Sequence, residues 1–284
     1  MVKFKVPATA ANIGPGFDCL GVAFSYYNEF KVEKADKMLI DGCDKTFTTS
    51  DNLFNIAFNE TMDVLGEKGS YHVHYTPKIP ASRGLGSSAN IIIAGIKTAN
   101  ILYGKNKKLN NDKIFQIASK IEGHPDNAAP AIFGGLTASI KLENGTFYHK
   151  KFTVSNKLHF TALIPNFKTS TSTARKLLPK KYKKVDAIST ISHSILMVEA
   201  LQNGNFDLLK TASKDFIHEP YRKKLIKDYD YIKKTVEKNN DAILLISGSG
   251  PTLLVISKDK NFYKKLDIHK SKAKWQILPM KILK

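Results

Sequence analysis

A chain of 284 residues with 42% apolar content can bury a sizeable core in one large or two ordinary domains, and its formal charge of +19 raises nucleic acid or an anionic membrane as partners. The distribution of that charge argues against both. Residues 1–150 carry 17 Lys/Arg against 14 Asp/Glu, net +3, whereas residues 151–284 carry 27 against 11, net +16, as scattered lysine pairs such as Lys180-Lys181 and Lys223-Lys224 without interleaved aromatics. No apolar run approaches the roughly 20 residues of a membrane helix, so a solvated surface with no specific nucleic-acid and no membrane partner is expected. The opening Met1-Val2-Lys3-Phe4-Lys5 lacks the apolar run and cleavage site of a secretory signal. A cytoplasmic protein is expected, with Cys19 and Cys43 as reduced thiols and no zinc-type spacing of Cys and His.

Taken in chain order, a strand is predicted over 3–6, and residues 7–18 read as a shaped loop because Gly and Pro are frequent there. A strand over 27–32, an amphipathic helix over 52–65 and an alternating strand over 71–75 follow. Residues 89–102 are almost wholly apolar and of helix length, which predicts a buried helix; a second helix is predicted over 112–122. Gly134-Gly135 end a short helix, and strand character over 136–142 precedes the turn Glu143-Asn144-Gly145-Thr146. A strand over 160–165, helices over 189–201, 206–211 and 221–238, and apolar strands over 242–246 and 253–256 around a Ser-Gly turn complete the pattern. The change of charge and the preceding turn place a boundary near residue 150, giving units 1–150 and 151–284 of an α+β fold.

Arginine is used sparingly: Arg83, Arg175 and Arg222 are the three arginines beside 41 lysines. A planar guanidinium can hold a carboxylate or phosphate through two parallel hydrogen bonds, which an ammonium cannot. Each arginine is therefore a site candidate, with ordinary pairing to a surface acid as the alternative.

Pro80-Ala81-Ser82-Arg83-Gly84-Leu85-Gly86-Ser87-Ser88-Ala89 places two glycines and two serines directly before the apolar helix. Glycines let backbone N–H groups approach an anion, and a helix start adds unpaired donors. On spacing alone, a Gly-Ser turn that merely caps the helix fits as well. Neither the P-loop lysine nor a Gly-x-Gly-x-x-Gly run is present.

The same ten residues resemble the Pro-x-x-x-Gly-Leu-Gly-Ser-Ser-Ala loop of the GHMP kinases. Ile246-Ser247-Gly248-Ser249-Gly250-Pro251-Thr252 resembles the C-terminal glycine motif of that superfamily, whose loop lies against the phosphate loop and the substrate. Pro7-Ala8-Thr9-Ala10-Ala11-Asn12-Ile13-Gly14-Pro15-Gly16-Phe17-Asp18 resembles its first motif. Together with Glu122-Gly123-His124-Pro125-Asp126-Asn127-Ala128-Ala129-Pro130, that segment points to the homoserine-phosphorylating branch. The resemblance spans nearly the whole chain.

It implies a two-lobed fold, with an N-terminal lobe like domain 2 of ribosomal protein S5 and a C-terminal ferredoxin-like α/β lobe. It also implies ATP and Mg2+ as cofactors, and in-line transfer of the γ-phosphoryl group to L-homoserine, a step of threonine biosynthesis. Asn52 and residues 80–89 (Pro80, Ala81, Ser82, Arg83, Gly84, Leu85, Gly86, Ser87, Ser88 and Ala89) would hold the nucleotide. Ser87 and Glu122 would ligate the metal. Arg175, in Thr171-Ser172-Thr173-Ala174-Arg175, and Arg222, in His218-Glu219-Pro220-Tyr221-Arg222, would clamp the amino-acid carboxylate, with Thr171 and Gly248 nearby. Asn12 and Asp18 would hold the hydroxyl end, and Asp126 would meet the ammonium. Asn127 stands where relatives resembling mevalonate kinase carry a catalytic Asp. An amide cannot accept a proton at neutral pH, so transfer without a dedicated base is expected. The resemblance also allows a homodimer.

Overall fold

Strand β1 (Val2–Ala11) pairs antiparallel with strand β2 (Leu20–Ala35), from Val2 opposite Val32 to Ala11 opposite Gly21. The computed structural model describes residues 1–44, 49 and 51–284. In it the strand expected over 3–6 runs on through residues read from sequence as loop. Pro7, with no N–H to give a ladder, sits where the register shifts between Pro7 and Ala8, so the pairing passes it as a bulge. The irregular loop is thereby confined to residues 12–19.

The chain continues through β3 (Leu39–Asp41), α1 (Leu53–Leu65), β4 (Ser70–Thr76), α2 (Ser87–Tyr103), α3 (Asn111–Glu122), α4 (Ala128–Phe133), β5 (Leu136–Lys141) and β6 (Phe147–Phe152). Among the described residues these strands form one sheet of order β3-β4-β2-β5-β6, with β1 along the other edge of β2. Strand β4 alternates as its sequence requires, burying Tyr71, Val73 and Tyr75. They meet Phe58 of α1 and Ile92 and Ile96 of α2 in a core between sheet and helices. Helix α2 is buried on nearly every side, which is why its sequence carries almost no polar face.

After Phe152 the chain builds a second sheet. Its elements are β7 (His159–Pro165), α5 (Thr171–Lys176), α6 (Lys184–Asn203), α7 (Phe206–Ala212), α8 (Glu219–Arg222), α9 (Tyr229–Glu237), β8 (Ala242–Ile246), β9 (Leu253–Ser257), α10 (Phe262–Lys265) and β10 (Trp275–Met280). The order is β10-β7-β9-β8, antiparallel throughout. In order of appearance that is 4-1-3-2, the ferredoxin-like arrangement.

The single helix expected over 221–238 is divided, because Asp228 takes a left-handed φ of 60° and restarts the chain as α9. Every residue of β8 and β9 is buried. One face packs on Ile232 and Val236 of α9. The other shares a core with the first sheet, where Phe24 and Leu136 meet Phe160, Leu245 and Leu254. The loops that carry the sequence motifs open along this seam.

Candidate active site

Residues 80–89 cross the seam. Helix α2 begins after Gly86, whose φ is 67°, and no side chain caps it; the first amides of a helix have no partner within it and carry its positive pole. They face a cavity of about 740 Å³ lined by Gly84, Gly86, Ser87 and Ser88. Glycine is required on two counts. Gly84 has a φ of 77°, and a Cβ there would stand 2.3 Å from the carbonyl oxygen of Ser247; one on Gly86 would stand 1.9 Å from Thr9 Oγ1.

A buried amide pair ties both ends of this loop. Asn28 Oδ1 accepts from the backbone N–H groups of Lys78 and Ile79 before the loop, while Asn28 Nδ2 donates to Oδ1 of Asn90 just after it. The C-terminal glycine loop lies directly on top: Ser247 Oγ donates to the Gly84 carbonyl at 2.6 Å, and the Thr252 N–H donates to that of Arg83.

The cavity wall has three kinds of lining. Phe30, Phe54, Val73, Tyr75 and Ile91 give it an apolar part, beside Asn52, whose Oδ1 caps α1 by accepting from the Asn55 N–H at 2.8 Å. The phosphate loop supplies backbone amides and hydroxyls. Asn12, Asp18, Asp126, Asn127, Arg175 and Arg222 supply the third, densely charged part.

In that part Arg175 grips Asp18 fork to fork, Nη1 to Oδ2 at 2.8 Å and Nη2 to Oδ1 at 2.7 Å. These bonds, against the opposing effect of burial, raise the Arg175 pKa. Asp18 is presented by a left-handed turn, with its N–H donating to Asn12 Oδ1 at 2.8 Å. The Gly248 carbonyl receives both Asn12 Nδ2, at 2.9 Å, and Arg222 Nη1, at 3.0 Å. Arg222 is only 1% exposed, and its Nε has no hydrogen-bond partner. Burial first, and the charge of Arg175 second, push its pKa down to about 10. A buried guanidinium with an unpaired N–H carries a desolvation cost that the Gly248 carbonyl offsets only in part.

Asp126 is buried and bonds His124 Nδ1 through Oδ1 at 2.6 Å. Burial opposes the imidazolium, but the Asp126 bond and the charges of Asp126 and Glu122 outweigh it and raise the His124 pKa. Asn127 Oδ1 accepts from Thr9 Oγ1 at 2.7 Å, so what its side chain can offer a substrate is the amide N–H2. Thr171 Oγ1 lies 3.2 Å from Ser249 Oγ.

Three features differ from the sequence reading. Ser88, not Ser87, meets the acid: Ser88 Oγ donates to Glu122 Oε2 at 2.8 Å. Pro80, Arg83, Leu85 and Ala89 stand outside the cavity wall. Leu85 and Ala89 are buried in the core, and Arg83 turns away to give Nε to the Pro165 carbonyl and Nη1 to that of Ala81. The apolar lining and Lys168 were not foreseen, since nothing in a core-forming residue's spacing says that it borders a cavity.

Over residues 52–135 the chain matches the GHMP kinases N terminal domain, and over residues 197–264 the GHMP kinases C terminal domain. It is 44% identical to a homoserine kinase of Clostridium botulinum over 99% of this chain and 96% of that protein. A homoserine kinase of Caldicellulosiruptor saccharolyticus is 38% identical over 98% and 93%. Among solved structures, the homoserine kinase from Cytophaga hutchinsonii superposes with a TM-score of 0.86 at 26% identity, covering 99% of this chain and 95% of that one. With both domains matched in order, and that identity held across almost the full length of its relatives, the chain belongs to the homoserine kinases of the GHMP kinase family.

Proposed function

We propose that this chain transfers the γ-phosphoryl group of ATP to the hydroxyl of L-homoserine, giving O-phospho-L-homoserine in threonine biosynthesis. The observation that carries this reading is the charge pattern beside the phosphate loop. Two guanidiniums, Arg175 and Arg222, and two carboxylates, Asp18 and Asp126, line one part of a single cavity, which is the complement of an amino-acid zwitterion.

The adenine fits the apolar wall around Phe54 and Tyr75, and the phosphates fit the start of α2. The substrate carboxylate takes the Arg175 fork from Asp18 and engages the Arg222 guanidinium where it borders the cavity. Asp18, released, joins Asn12 in holding the hydroxyl, and Asp126 takes the ammonium. The N–H2 of Asn127 orients the reacting oxygen; this amide cannot take a proton where relatives place a catalytic Asp, so transfer relies on positioning and on donors aimed at the phosphates.

Ser88 and Glu122 form a hard-oxygen pair suited to Mg2+. Desolvation raises the Glu122 pKa despite the nearby His124 and Ser88, the signature of a carboxylate short of positive charge. Mg2+ held there would supply neutralisation of charge on the nucleotide phosphates. The proposal includes a cytoplasmic setting, in keeping with the free thiols Cys19 and Cys43. It also includes a homodimer through the exposed Val185, Ile188, Ile191 and Ile195 of α6, a lysine-poor stripe on which two strongly basic copies can meet. Among the described residues no helix is long and apolar enough to cross a membrane.

A coupled ADP-release assay across L-homoserine, mevalonate and galactose tests the reading. Turnover with homoserine well above the other two is expected, and turnover led by either of the others contradicts it.

A further inference from the structure

Phe17 belongs to none of the three apolar clusters that make up the core of the described residues. A phenylalanine inside a folded chain normally packs among aliphatic neighbours. This one lies among cations and an imidazole. The Arg222 guanidinium carbon stands 5.0 Å from its ring centroid and that of Arg175 stands 5.6 Å away. The His218 ring stacks on it at 5.6 Å with an interplanar angle of 29°.

His218 is itself fixed. It is fully buried, Nε2 bonds the Gly14 carbonyl at 2.9 Å, and its backbone N–H donates to Asp215 Oδ2 at 2.8 Å. The imidazole therefore backs Phe17, and the Phe17 ring supports the two arginines. It connects the residue 12–19 loop to α5, which carries Arg175, and to α8, which carries Arg222.

We propose that Phe17 is a positioning residue for the substrate carboxylate, holding the Arg175 and Arg222 guanidiniums apart and keeping Arg222 from the nearby acids. The inference rests on the amino-acid reading above. Two guanidiniums aimed at one anion repel each other, and a swing of Arg222 toward Asp18 or Asp126, which line the same cavity, would neutralise the anion site. An acid at position 17 would cause that neutralisation itself. An aliphatic residue would fill the space but present no electron-rich face. An aromatic ring attracts both cations without using up an N–H donor, so the Arg222 guanidinium stays available where it borders the cavity.

The test compares wild type, Phe17→Leu and Phe17→Tyr on L-homoserine and on 3-aminopropan-1-ol, the same amino alcohol without the carboxylate. Phe17→Leu is expected to raise the KM for homoserine about tenfold, from the loss of one to two cation–π contacts. The KM for ATP and kcat should stay within about twofold, and the preference for homoserine over the amino alcohol should shrink about tenfold. Phe17→Tyr, which keeps the ring face, should restore that preference. An unchanged preference in Phe17→Leu, or a KM for ATP that rises in step with that for homoserine, overturns the assignment and leaves the amino-acid reading standing. A wild-type enzyme indifferent to the carboxylate contradicts the amino-acid reading itself.

Discussion

Arg175 and Asp18 meet as a two-point ion pair across 157 residues of sequence, with both bonds at or below 2.8 Å. The guanidinium fork that suits a substrate carboxylate is thus held by one of the enzyme's own. In the function proposed above, substrate binding is an exchange of one carboxylate for another, and the exchange would free Asp18 for the hydroxyl.

Removing the fork should weaken homoserine selectively. Arg175→Ala is expected to raise the KM for homoserine by about 2–3 kcal/mol, roughly 30- to 150-fold, with the KM for ATP little changed. Arg175→Lys should recover only part of the loss, because a point charge cannot make two parallel bonds. Steady-state kinetics with each substrate varied in turn checks both.

Freeing the fork should act in the opposite direction on binding. Asp18→Asn leaves Arg175 with a neutral partner, so the KM for homoserine should not rise, while kcat falls by about tenfold or more as the hydroxyl loses its charged acceptor. The split between the two constants is the readout.

The two glycine loops make contact too close for a side chain. Gly145→Ala, at a φ of 82° with nothing within 4 Å of the new Cβ, should cost about 1 kcal/mol through backbone strain alone. Gly84→Ala adds a clash with the Ser247 and Gly250 carbonyl oxygens and should cost about 3 kcal/mol or more. Urea unfolding of the two variants measures the difference, and nucleotide affinity should fall only for Gly84→Ala.

The two-lobed fold was legible through the resemblance of residues 80–89 and 246–252 to the GHMP kinase loops, since the spacing of glycines and serines alone fits a helix-capping turn as well. The rest was hidden for physical reasons. Residues 7–11 are small and weakly strand-forming, and they become strand because β2 offers a continuous partner. Strand β10 contains Pro279 and is only partly buried, so neither composition nor alternation marks it. The restart at Asp228 is a backbone conformation that apolar periodicity does not encode. Choosing between Ser87 and Ser88 as the partner of Glu122 depends on the rotation of α2, which the seam fixes and the motif does not.

That choice has its own measurement. Ser88→Ala should weaken Mn2+ binding in the presence of ADP about tenfold or more, the size typical when a group that holds a ligating carboxylate in place is lost, and Ser87→Ala should weaken it less. Electron paramagnetic titration of free Mn2+ reports both.

His124 should tie stability to pH. Its folded pKa lies above the ordinary 6.5. The stabilisation it gives is therefore fully present below about pH 6.5 and lost as pH rises through the folded value. The difference in Tm between wild type and His124→Gln should be larger near pH 6 than near pH 9, and a difference that grows with pH would reverse the sign of the argument.

The most direct test follows the phosphorus. Purified enzyme is incubated with ATP, Mg2+ and L-homoserine, and the mixture is followed by 31P NMR. A new phosphomonoester resonance is expected, split by an adjacent CH2 and growing in step with ADP. ADP growing in step with inorganic phosphate and no phosphomonoester, or no consumption of ATP, would contradict the proposed transfer.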